Sequence, residues 1–272
     1  KSTINYLLKV KNIRKKVIFF LVIGFISSSF RTLPATEENS SITKDEFNNK
    51  IVASDSIKIQ TPCESIHDFY TSFNAKGLSF DAFKLALSGF NILKNQGKVS
   101  NLDILTVFDL SKPSNEERLF VLDIKNRKVL SKSLCSHGKN SGETIATTFS
   151  NTPNSYMTSL GFYLTGETYD GKNGYSLKLD GLEANINDNA RERGVVIHGA
   201  DYCSYSFINT EGRLGRSQGC PALPIEKNEK IIQLIKNKTC FFIYSPNNQY
   251  SKSSNLIKFD QGLVEDFIHE LS

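Results

Sequence analysis

The chain has 272 residues, 39% hydrophobic and 22% charged, with a formal net charge of +5 and five cysteines. That is an ordinary composition for a chain that buries a core, in one large domain or one domain with appendages. Six of the 33 basic residues (Lys1, Lys9, Lys11, Arg14, Lys15 and Lys16) lie in the first 30 positions, where there is no acid. The rest is nearly balanced, which excludes an electrostatic footprint for nucleic acid.

The basic group ending at Lys16 meets the apolar run Val17–Ile26, and Ser27, Ser28 and Ser29 follow. This is the layout of a secretory signal, placed at residues 1–30. The run is short for a span of roughly 20 residues. Cleavage leaves an exported protein in the periplasm or cell envelope, and an uncleaved segment would tether it. No other membrane contact is expected. Export and an odd cysteine count (Cys63, Cys135, Cys203, Cys220, Cys240) leave at least one thiol unpaired.

Residues 31–61 are polar and unpatterned and read as a linker. Residues 62–98 read as a helical segment packed on the domain that follows. Cys63 to Phe73 suits a short helix. A second helix starts after Ser79 as N-cap, with Phe80, Phe83, Leu87 and Phe90 on one face and Gly97 as the stop. The aromatic stripe reads as core rather than as a ligand groove.

Residues 99–246 read as a mostly-β domain, a sandwich or barrel. The strand candidates are Leu102–Phe108, Arg118–Ile124, Lys128–Ser131, Gly161–Thr165, Tyr175–Leu179, Gly194–His198 and Thr239–Tyr244. A hairpin turn is expected at Lys125-Asn126-Arg127, with Asn126 left-handed. One helix interrupts the strands after Cys220, with Pro224 at its first position and Ile231, Leu234 and Ile235 buried. Residues 247–272 read as a polar loop and a short terminal helix carrying Val264, Phe267, Ile268 and Leu271.

Two stretches carry chemistry. Val195-Val196-Ile197 delivers His198 to a strand end, and Ser217-Gln218-Gly219-Cys220-Pro221 forms a tight turn. A nearby imidazole can take a thiol proton and leave the nucleophilic thiolate. Gly199 permits close approach. Pro221 has no N–H, so oxyanion donors fall to the amides of Gln218, Gly219 or Cys220, with Ser217 bracing the turn. Asp201 or a backbone carbonyl would orient the imidazole. By spacing alone, a thiol site and a Cys203–Cys220 disulfide stand about even. Zinc on His198, Cys203 and Cys220 is weaker, because no second close pair is present.

His198-Gly199 followed by Ser217-Gln218-Gly219-Cys220 resembles the signature of the L,D-transpeptidase (YkuD-like) family, closest to a divergent murein L,D-transpeptidase subgroup. The stretches 136–142, 161–169, 188–191, 198–202 and 212–222 share the resemblance, which covers roughly residues 65–245. It implies a β-rich domain, Cys220 as nucleophile, His198 as general base, and Ser217 and Gly219 as turn residues. The substrates implied are peptidoglycan stem peptides, with no cofactor and no metal.

Gln218 stands where the mainstream family has His, and Ala222 where it has Arg or Asn. Arg216 is the candidate replacement for the lost substrate contact, with Arg191 and Arg193 behind it, and Tyr202 as a further contact. Tyr163, Tyr169, Tyr202 and Tyr205 are the candidates for stacking on a glycan. His137, in a family-like stretch, reads as a structural hydrogen-bonding residue. The activity implied is acyl transfer from a stem tetrapeptide to an amine. The alternatives are an L,D-carboxypeptidase, with water as acceptor, and a non-catalytic wall-binding module. The sequence leaves the oligomeric state open.

Overall fold

Ser65 caps the first helix, α1 (Ile66–Ser72), and Ser79 caps α2 (Phe80–Asn95). Each hydroxyl accepts an amide from the first turn, which otherwise lacks a partner. These elements come from a computed structural model that describes residues 64–271. The expected export signal (1–30), linker (31–61) and Cys63 lie outside the described residues. At the end of α2, Gly97 is left-handed (φ +65°), and Lys98 N–H bonds back to the Leu93 carbonyl.

The face of α2 carrying Phe83, Leu87 and Phe90 is fully buried. Each such side chain contributes about 1.5–3 kcal/mol relative to exposure. A Cβ at Gly89 would sit 2.1 Å from the Phe162 ring. Glycine there is what lets helix and sheet approach so closely. Phe162 in turn stacks on Phe242 with centroids 4.1 Å apart.

The sheet has eight strands: β1 (Ile104–Asp109), β2 (Leu119–Asp123), β3 (Lys128–Ser133), β4 (Gly161–Gly171), β5 (Gly174–Gly181), β6 (Val196–Gly199), β7 (Ala222–Leu223) and β8 (Cys240–Tyr244). Their order is β3-β2-β1-β8-β4-β5-β6-β7. Neighbours are antiparallel except β1 with β8 and β6 with β7. Just past β3, Ser136 exchanges two backbone hydrogen bonds with Ala222 of β7. The two outer strands are thereby drawn together into a nearly closed barrel. The mostly-β class expected from the sequence is the class observed.

Four details differ from the sequence reading. Arg127, not Asn126, is the left-handed residue of the β2–β3 turn (φ +54°), while the Asn126 amide bonds Asp123. Pro224 is the N-cap of the helix after Cys220, α4 (Ile225–Ile235), one position earlier than expected, and Ile232 is buried in its stripe. Two helices were not expected: α3 (Tyr205–Glu211), capped by Ser204, and α5 (Asn248–Ser253), capped by Asn247 within the presumed polar loop. The terminal helix is α6 (Gln261–Glu270), whose Phe267 meets Phe90 of α2. Among the described residues, no helix is long and apolar enough to cross a membrane.

Candidate functional site

β6 and β7 run side by side, with His198 in register with Ala222. Cys220 therefore lies beside Val196, whose N–H donates to its Sγ at 3.5 Å. Val196 and His198 alternate with the fully buried Ile197 and so share the outer face. Cys220 and His198 both line a cavity of about 750 Å³.

The imidazole of His198 is buried, and its Nδ1 lies 2.9 Å from the Gly199 carbonyl. A carbonyl only accepts, so Nδ1 carries the proton and Nε2 keeps its lone pair. Burial holds the His198 pKa below its ordinary value, against the opposing effect of the Gly199 bond. Asp201, the sequence alternative for orienting the ring, instead accepts the Tyr202 amide. The Cys220 thiol donates to the Gly194 carbonyl at 3.7 Å. Burial raises its pKa, while the Val196 amide and the Arg193 charge pull it down.

The turn before Cys220 is held by one hydroxyl. Ser217 Oγ accepts the Gly219 amide (3.0 Å) and donates to the Cys220 carbonyl (2.6 Å). This removes the Gly219 amide from the three oxyanion-donor candidates. Those of Gln218 and Cys220 have no acceptor among the described residues. Gly219 itself sits at φ +122°, where a Cβ would meet the Met157 carbonyl at 2.8 Å, so glycine is required there.

A strut from the first half of the barrel supports the turn. The Ser217 amide donates to the His137 carbonyl and the Lys139 amide to the Ser217 carbonyl. The His137 ring is fully buried. Arg118 donates to its Nδ1 (2.7 Å), and its Nε2 lies 3.2 Å from the Gly142 carbonyl. Burial, with Arg118 adding to it, lowers its pKa to about 4. Arg118 is itself fully buried and also donates to the carbonyls of Cys135 and Lys112. Desolvation brings its pKa down to about 10.

The arginines separate. Arg216 lines the cavity, but its Nη1 is bound to Glu143 and to the Lys139 and Gly142 carbonyls. Arg191 pairs with Glu167 and Asp180 across β4 and β5, away from the cavity lining. Arg193, ranked behind Arg216 on sequence, is the one whose charge acts on Cys220. It also clamps the 150–159 loop through the Ser150 and Met157 carbonyls and the Ser155 and Ser159 hydroxyls.

Of the tyrosines, Tyr163 is fully buried and donates to the Ser159 carbonyl, which removes it as a stacking surface. Tyr169 and Tyr202 line the cavity, and Tyr205 does not. Tyr202 packs over Gly215, where a Cβ would lie 2.4 Å from its own. The sequence reading missed Tyr156, Lys172 and Asn173 of the cavity wall. The last two tip the β4–β5 hairpin, and only the flanking Gly171 and Gly174 hinted at it. Cys135, Cys203, Cys220 and Cys240 are all free, and Cys203 donates to the Ala222 carbonyl at 3.1 Å. Among the described residues, no three His, Cys, Asp or Glu side chains are grouped to hold a metal ion.

A barrel with a thiol and an imidazole on one cavity defines a cysteine-and-histidine site on a β scaffold. The chain belongs to the L,D-transpeptidase catalytic domain family, whose model matches residues 74–244. No curated protein sequence matches it. Among solved structures it is similar to an L,D-transpeptidase from Mycobacterium smegmatis (14% identity, 53% of this chain and 59% of that one, TM-score 0.34). It is similar also to the helical cell shape determining protein Pgp2 from Campylobacter jejuni (16%, 57% and 54%, TM-score 0.34). A third is an L,D-transpeptidase from Mycobacterium tuberculosis (15%, 53% and 58%, TM-score 0.31). The chain thus spans between half and three fifths of the length of each.

Proposed function

We propose that the chain is an exported cysteine L,D-transpeptidase of peptidoglycan. The observation that carries this reading is the state of His198: Nδ1 is pinned to a backbone carbonyl, Nε2 has no partner among the described residues, and His198 lines the same cavity as Cys220. The thiol turns from the Gly194 carbonyl to Nε2 and passes its proton there. The thiolate attacks the carbonyl of the L-centred third residue of a stem tetrapeptide. The amides of Gln218 and Cys220 receive the developing oxyanion. The imidazolium then protonates the leaving D-amino acid, and a thioester remains on Cys220. An amine of another stem peptide attacks the thioester, gives up a proton to His198 and releases the thiol.

Arg193, Arg216 and Lys172 line the cavity beside a single acid, Asp201, which suits a donor rich in carboxylates. Membership of the family supports the choice of stem peptide as substrate. The test is to incubate the full chain with a stem tetrapeptide and an excess of an amine acceptor. Mass spectrometry should find equal amounts of released D-amino acid and of the new amide, and neither with Cys220→Ala. Release without the amide would make the protein an L,D-carboxypeptidase. No release and no Cys220 adduct on folded, reduced protein would leave a wall-binding module.

A further inference from the structure

A second cavity, of about 550 Å³, is lined in part by the 150–159 loop. Its size falls inside the range of about 300–1,000 Å³ typical of small-ligand sites. Twelve residues line it and none is charged. In a chain that is 22% charged, two or three charges would be expected among twelve. The catalytic cavity, by contrast, is lined by Lys172, Arg193, Asp201 and Arg216.

What the lining offers is mainly uncharged hydrogen-bonding groups, joined by the apolar side chains of Phe149, Leu160 and Ile186. The carboxamides of Asn185 and Gln249 and the hydroxyls of Thr152 and Ser253 belong to the lining and have no hydrogen-bond partner among the described residues. Phe149 and Ile186 are half-buried. Asn185 is held left-handed (φ +61°), with its amide on Asp188, so its position is fixed by the backbone. α5, which supplies Gln249 and Ser253, is anchored by Tyr250 donating to the buried Glu183 at 3.1 Å. A carboxylate or phosphate finds no cation here. A neutral ring with hydroxyl and acetamido groups on its edge and C–H groups on its faces matches both halves of the lining.

The 150–159 loop contributes residues to both cavities. Thr152 lines the second and Tyr156 the first. They are four positions apart, a reach of at most about 14 Å. A stem peptide runs from its third carbonyl back to the sugar over three residues, or about 10 Å when extended. We propose that the second cavity is a glycan subsite, which binds an uncharged N-acetylated saccharide of the strand while its stem peptide enters the Cys220 cavity. This rests on the peptidoglycan reading above.

The test uses the full chain and a tetramer of N-acetylglucosamine, followed by calorimetry and by NMR of the backbone amides. Saturable binding is expected, with shifts at residues 149–152, 184–186 and 247–253. The double variant Asn185→Ala/Gln249→Ala should weaken it by about tenfold or more. That variant should leave the rate of Cys220 acylation by a carbapenem unchanged. It should also abolish any KM preference for a disaccharide-tetrapeptide over the free tetrapeptide, with kcat unaltered. Absence of binding, equal binding by the double variant, or displacement of the sugar by free tetrapeptide would overturn the subsite. Sugar binding without Cys220 acylation would sink the transpeptidase reading and spare the subsite, and the reverse result would do the opposite.

Discussion

The barrel contains two buried histidines that look alike in sequence, His137-Gly138 and His198-Gly199. Each flanks the Cys220 turn, and burial lowers the pKa of each. They differ in one nitrogen. In His137 both are occupied, Nδ1 by the Arg118 guanidinium and Nε2 by the Gly142 carbonyl. In His198 only Nδ1 is occupied among the described residues, and the residue lines the cavity. A histidine with both nitrogens bonded serves as a strut, and one with an unbonded nitrogen on the cavity that Cys220 also lines is the better candidate for a base.

The comparison is broken most directly at His198. His198→Gln should slow acylation of Cys220 by about 10²–10⁴-fold, the usual worth of a general base. Its denaturant midpoint should correspond to a loss of no more than about 1 kcal/mol. His137→Gln should do the reverse, with a loss of stability on the order of 2–3 kcal/mol and a smaller change in rate among folded molecules. Equal rate losses in the two variants would erase the distinction.

pH sharpens it. The unfolded His137 titrates near 6.5 and the folded one near 4. The unfolded chain therefore binds the extra proton between those values. The contribution is fully present above about pH 6.5 and is lost as pH falls toward 4, amounting to about 3 kcal/mol. Chemical denaturation across that window should show the slope in wild type and a shallower one in His137→Gln. His198 has a lowered pKa too, so the acid limb of the acylation profile should fall below the ordinary histidine value.

Two smaller effects concern the turn between them. Gly219→Ala puts a Cβ against the Met157 carbonyl at positive φ and should cost about 1–3 kcal/mol, read from denaturant midpoints, with slower acylation. Arg193→Ala removes the charge that favours the Cys220 thiolate. The pH midpoint of alkylation by iodoacetamide should move up, by about one unit or less.

Much of this was legible in the sequence because it lies in local pattern. Short runs of β-branched, aromatic and leucine residues marked seven of the eight strands, and Ser79 and Gly97 marked the ends of α2. What was not legible depends on distant partners. β7 is two residues long and exists through its pairing with His198 and Ser136. α3 and α5 have seven and six residues, too short for a periodic apolar stripe to reveal them. Arg118 reads as the charged flank of a strand, yet it is fully buried, because carbonyls and His137 from elsewhere in the chain receive its guanidinium. Arg193 gained importance from a loop 34 to 43 residues earlier. The roles of the two His-Gly pairs were separated only by the partners of their second nitrogens.

The central claim is that Cys220 is the reactive thiol and His198, not His137, its base. Intact-mass spectrometry of the reduced full chain after exposure to a carbapenem tests it most directly. The account predicts a single adduct that maps to Cys220, forms at a comparable rate in folded His137→Gln, and is nearly absent at the same time point in His198→Gln. An adduct on Cys135, Cys203 or Cys240, or one that forms as fast in His198→Gln as in wild type, would contradict it.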